Sequence, residues 1–117
     1  MTRRIRLFLG LETLIFAVAA LIHFEVISSG YRDEGAGIAE SVIGGVLLLG
    51  LIVSWLRPEW TRQSGISVQG FALLGTFVGV TLLFVFGPRT ALDIAMHLVM
   101  VMVLVVGLAV AIRSAPD

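Results

Sequence analysis

The sequence predicts an all-α protein, a four-helix transmembrane bundle with up-down antiparallel order and both termini cytoplasmic. Three observations predict it. Four long apolar runs follow one another, short polar connections separate them, and the arginines are distributed unevenly among those connections. Apolar residues make up 58% of the chain and charged residues 14%, and the mean hydropathy is +1.05. Soluble domains are about 45–50% apolar and about 25% charged. A small soluble fold has too little interior to hide so much apolar surface, whereas lipid covers it. The chain reads as one domain, residues 1–117, embedded in the lipid bilayer.

A spanning helix needs about 20 mostly apolar residues. The first qualifying run covers residues 5–27. Arg3, Arg4 and Arg6 precede it and Ala17-Val18-Ala19 resembles a signal-peptidase site, but the apolar run continues through Leu21, Ile22 and Phe24. It is therefore expected to stay as an anchor. A polar loop over 28–35 leads to the second run, 38–56, which stops at Arg57-Pro58 because the residue before a proline disfavours the helical region. The loop 59–65 carries Trp60, which with Trp55 and Tyr31 suits the membrane interface. The third run covers 68–86, Gly87-Pro88-Arg89 forms a tight turn, and the fourth run covers 91–112. Transmembrane strands would be about 9–11 residues long and would alternate apolar with polar. These runs do neither, and helices satisfy their own backbone hydrogen bonds in lipid.

Every basic residue is an arginine. With the N-terminus inside, Arg3, Arg4, Arg6, Arg57, Arg62 and Arg113 fall on the cytoplasmic side, and Arg32 and Arg89 fall outside. That asymmetry fits the positive-inside rule and predicts a multi-pass protein of the inner (plasma) membrane. Small residues recur at helix-packing spacing: Ser41 and Gly45, Gly75 and Gly79, Gly107 and Ala111. Such pairs let helices approach closely. Four short helices enclose little interior, so a homo-oligomer or docking onto a larger membrane complex is expected.

The formal net charge is zero and the chain has no cysteine. Nucleic-acid binding has no basic face to rest on, and thiolate chemistry is excluded. No Walker loop, G-x-S-x-G or H-E-x-x-H motif occurs, so a non-enzymatic role is expected. In span number and loop length the chain is similar to small four-span bacterial membrane proteins, DoxX-like ones included, and no motif carries residues across from them.

Ionisable residues inside apolar spans are costly and mark functional positions. The predicted topology brings His23, Glu40, Asp93 and His97 to one level in the outer half of the bundle. Asp93 and His97 are spaced to share a helical face, and so are Glu12 and His23. Several chemistries follow. The four residues could bind a ligand. His23 and His97 could hold a divalent metal, with methionines suiting a copper ion. The same histidines could ligate haem, with Gly44, Gly45, Gly75 and Gly79 leaving room and Arg32 or Arg89 meeting the propionates. Glu12 and His23 could relay protons in a small proton-coupled transporter. The leading expectation is a small integral membrane binding or accessory subunit with a polar site in the outer half of the bundle. A b-type haem or metal-binding redox protein and the transporter are the alternatives.

Overall fold

The computed structural model describes residues 2–87 and 90–116. Among them the chain forms four helices, each long and apolar enough to cross a membrane: α1 Thr2–His23, α2 Glu34–Leu56, α3 Thr61–Phe86 and α4 Ala91–Arg113. No strand occurs among the described residues. Pro88 and Arg89, expected in the turn with Gly87, lie outside the described residues.

The helix ends explain where the predicted spans shift. The first run was expected to reach residue 27, yet α1 ends at His23. Glu25 adopts φ 57°, Val26 N–H donates to Leu21 O at 2.9 Å and Glu25 N–H to Ile22 O at 3.0 Å. These bonds form a Schellman motif with Glu25 in the left-handed position. Gly30 N–H then donates to the Glu25 carboxylate at 3.0 Å, so local polar contacts fold the apolar Val26-Ile27 pair out of the helix. At α3 the shift is the reverse. The third span was expected from residue 68, but the helix begins at Thr61. Hydropathy locates the apolar layer, while the helix itself continues through the polar stretch Arg62-Gln63-Ser64 as long as its hydrogen bonds are met. Thr61 Oγ1 donates to Pro58 O at 2.7 Å and Ser64 Oγ to Gly50 O at 3.1 Å. Pro58 opens a short 3₁₀ turn, Pro58–Trp60, between α2 and α3.

Contacts run between α1 and α2, α2 and α3, α3 and α4, and α4 back to α1. The body is 44 Å long, against a hydrocarbon layer of about 30 Å. The core is a column of inward residues: Ile5, Leu9 and Phe16 of α1, Ile43 and Leu47 of α2, Ala72 of α3, Met100 and Leu104 of α4. Large apolar side chains such as Leu14, Leu49, Leu74 and Leu98 point outward, as a lipid-facing surface requires.

Glycines set the closest approaches. A Cβ on Gly50 would stand 2.5 Å from a Val68 methyl, one on Gly37 2.8 Å from the Phe24 ring, and one on Gly44 3.3 Å from Phe16. Of the predicted packing pairs, Gly107 and Ala111 are buried and Gly75 meets Ile43. Ser41 and Gly45 instead are exposed on α2. The face that α2 packs carries Gly37, Gly44 and Gly50, because Glu40 and Ile43 fix which side of the helix turns inward.

Candidate functional site

The site is built at the end of the bundle where α1 stops and α4 starts. Asp33 N–H donates to His23 O at 3.0 Å, which ties the start of α2 to the end of α1. The Asp33 side chain accepts from Ala36 N–H at 3.0 Å and so caps α2. Glu40, nearly two turns into α2, is thereby turned toward His23. At α4, Thr90 Oγ1 accepts from Asp93 N–H at 3.1 Å and donates to Asp93 Oδ2 at 2.6 Å. This threonine cap both starts the helix and aims the Asp93 carboxylate inward.

His23 bridges the two carboxylates. Its Nδ1 lies 2.8 Å from Glu40 Oε2 and its Nε2 lies 2.9 Å from Asp93 Oδ1. All three side chains are buried. Two hydrogen bonds need two protons, however these are shared among the imidazole and the carboxyl groups. Two protons on these three groups leave one net negative charge. The second oxygen of Glu40, Oε1, is buried without a hydrogen-bond partner. A buried acceptor left unpaired costs about 1–3 kcal/mol, so the triad is an unfinished network.

His97 is not the fourth member of that network. Its Nδ1 lies 2.7 Å from Asp93 O, four residues back on its own helix. A carbonyl only accepts, so Nδ1 carries the proton and Nε2 of the neutral ring is an acceptor. Among the described residues no group of three or more His, Asp or Glu has a metal-holding arrangement. Both His23 nitrogens are engaged by carboxylates, and neither is free to ligate a metal or haem in this arrangement.

A cavity of about 410 Å³ adjoins the triad. Glu40, Asp93, His23, His97, Asp33 and Thr76 contribute its polar wall, and Ile43, Gly79, Leu83, Phe86 and Met100 contribute apolar wall. It lies within the range of about 300–1,000 Å³ typical of ligand pockets. A Cβ on Gly79 would meet nothing within 4 Å, which marks open space beside α3.

Glu12 stands apart from this site, near the middle of α1. Neither carboxyl oxygen has a hydrogen-bond partner, and the same holds for the buried Gln69 Oε1. Arg6, the nearest basic residue in the chain, turns away: it donates to Ser54 Oγ at 3.3 Å and to Ser54 O, and stacks 4.1 Å over the Trp55 ring. Gln69 and Thr90 were not among the sequence-predicted site residues. Gln69 is a lone amide inside an apolar run, and Thr90-x-x-Asp93 carries a capping signature, so both left a signal.

The fold and site together define an all-helical membrane-type bundle with an inter-helix carboxylate–histidine–carboxylate triad beside a cavity. Comparison with protein-family models, curated proteins and solved structures returned no match.

Proposed function

We propose that the protein is a multi-pass binding or accessory subunit of the inner membrane. Its cavity takes a small molecule with an apolar body and a cationic, hydrogen-bond-donating head such as a primary ammonium. The helices run alternately up and down, both termini are cytoplasmic, and the cavity lies in the outer half of the bundle. One observation carries the ligand reading: a triad with one net negative charge lines a largely apolar cavity, and its Glu40 carboxylate holds a buried oxygen, Oε1, without a partner. An N–H donor supplies the missing bond, and its positive charge offsets the negative one, which is worth most away from water. The orientation rests on the arginines. Arg6 reaches the end of α2 and Arg62 donates to Ser114 O at 3.0 Å at the end of α4, so the arginine-rich segments gather at the end away from the triad.

The test is titration calorimetry on the protein in lipid nanodiscs with three probes of one shape: cyclohexylmethylammonium, cyclohexylmethanol and cyclohexanecarboxylate. The ammonium is expected to bind at least about tenfold tighter than the alcohol, a difference of about 1.4 kcal/mol, and the carboxylate not at all. Glu40→Gln should remove the preference for the ammonium, and Gly79→Leu should block binding by filling the cavity. Equal uptake of all three probes, unaffected by either substitution, would overturn the proposal.

A further inference from the structure

The triad and its cavity leave one buried group unused. Glu12 is 1% exposed and Gln69 0%, and three of their oxygens have no partner. They meet beside Gly107. A Cβ built there would overlap both Glu12 Oε1 and Gln69 Oε1, so the two oxygens converge on the one spot of α4 that lacks a side chain. The orientation of the Gln69 amide is fixed independently. Its Nε2 donates to Gly65 O at 2.9 Å, which leaves Oε1 as the atom facing Glu12.

Two acceptors brought together without a donor repel, and a buried unpaired carboxylate is among the most expensive groups a protein can hold. A cation is needed, and among the described residues the buried faces of the helices supply none. The inward residues of α3 are Thr61, Gly65, Gln69, Ala72 and Thr76, none of them titratable. His97 of α4 is half-buried in the cavity wall and bonded to its own backbone, and the fully buried titratable residues are Asp93 of α4 and Glu40 of α2. Both are bound to His23. On α1 itself, Phe16 and Ala19 separate Glu12 from His23 along the buried face, and Leu9 lies on the other side.

We propose that Glu12 and Gln69 form a second site, an exchangeable proton-binding site in which the Glu12 carboxylic acid donates its O–H to Gln69 Oε1. One proton resolves two of the three orphan oxygens at once and removes the buried charge. The O–H forms when a proton adds to the carboxylate and breaks when that proton leaves to water, with no other reactant involved. This inference does not rest on the ligand reading of the triad.

Infrared difference spectroscopy tests it, on the protein in nanodiscs stepped through pH in H₂O and D₂O. A protonated carboxylic C=O band is expected at neutral pH, shifted on transfer to D₂O. Glu12→Gln should abolish the band, Glu12→Asp should keep it at a displaced frequency, and Gln69→Leu should move it to the frequency of a carbonyl whose O–H has lost its acceptor. A spectrum in which no acid band depends on Glu12 would overturn the proposal. So would a band bleached by sodium ion at constant pH, which would make the site a metal-cation site. A band that never exchanges with D₂O would make it a sealed structural bond, and would also overturn the exchange. Ammonium binding at the triad should persist in Glu12→Gln, so a failure of either reading leaves the other standing.

Discussion

The His23 imidazole nitrogen Nε2 lies 2.9 Å from Asp93 Oδ1, seventy residues further along the chain. The opposite nitrogen lies 2.8 Å from Glu40, so one ring joins α1, α2 and α4. The joint lies inside an apolar bundle, where each unmet polar group is expensive, and removing one member harms the others.

His23→Ala leaves the buried Glu40 carboxylate without its donor and Asp93 with only the Thr90 hydroxyl. Breaking a buried charge pair by removing one partner costs about 3–5 kcal/mol in soluble proteins. A loss of about 3 kcal/mol is expected here, read as a lower midpoint of unfolding in a denaturing-detergent titration. Asp93→Asn keeps the shape and the Thr90 cap and should cost about 1–2 kcal/mol, in line with hydrogen bonds between transmembrane helices. Equal, negligible losses for both variants would show that the bridge does not hold the helices.

Gly107→Ala places a methyl group where Glu12 and Gln69 converge. Overpacking of a dense core costs about 1–3 kcal/mol, and this variant should fall in that range. Gly45→Ala meets nothing within 4 Å and should be neutral or slightly stabilising, because alanine favours helix over glycine by about 1 kcal/mol. The contrast is measured by the same unfolding titration, and equal effects at the two glycines would contradict the packing.

Gly50→Ala should destabilise by about 1–3 kcal/mol because its Cβ would lie 2.5 Å from Val68. Combining it with Val68→Ala removes the opposing methyls. A double-mutant cycle should show a favourable coupling of about 0.5–3 kcal/mol, the range for residues in contact. Strictly additive losses would place the two residues out of contact.

Glu25→Gly relieves a side chain held at φ 57°. Removing such strain gains about 1 kcal/mol at the end of a helix, less the exposed bond that Glu25 accepts from Gly30. A net gain of a few tenths to about 1 kcal/mol is expected in thermal unfolding. A clear loss would mean that the carboxylate contact outweighs the backbone strain.

The fold was legible because hydropathy reports directly on burial in lipid. Runs long enough to cross the hydrocarbon layer leave a helix as the one structure that satisfies its own backbone, and four such helices form. The helix ends were less legible. Glu25 in the left-handed position and the polar first turns of α3 depend on individual hydrogen bonds that hydropathy does not register.

For the candidate site, the sequence by itself determined that His23, Glu40 and Asp93 would need partners, because ionisable groups in apolar helices cannot stay alone. It also put Asp93 and His97 on one face of α4, which the cavity lining retains. Only the tertiary structure decided which partners they found. It closed His23 between Glu40 and Asp93, turned His97 onto its own backbone, and brought Glu12 against Gln69 at Gly107. Those outcomes depend on the rotation of each helix about its axis and on angstrom-scale approaches at glycines. Periodicity assigns a residue to a face of its own helix, but not the atom that face will meet on another.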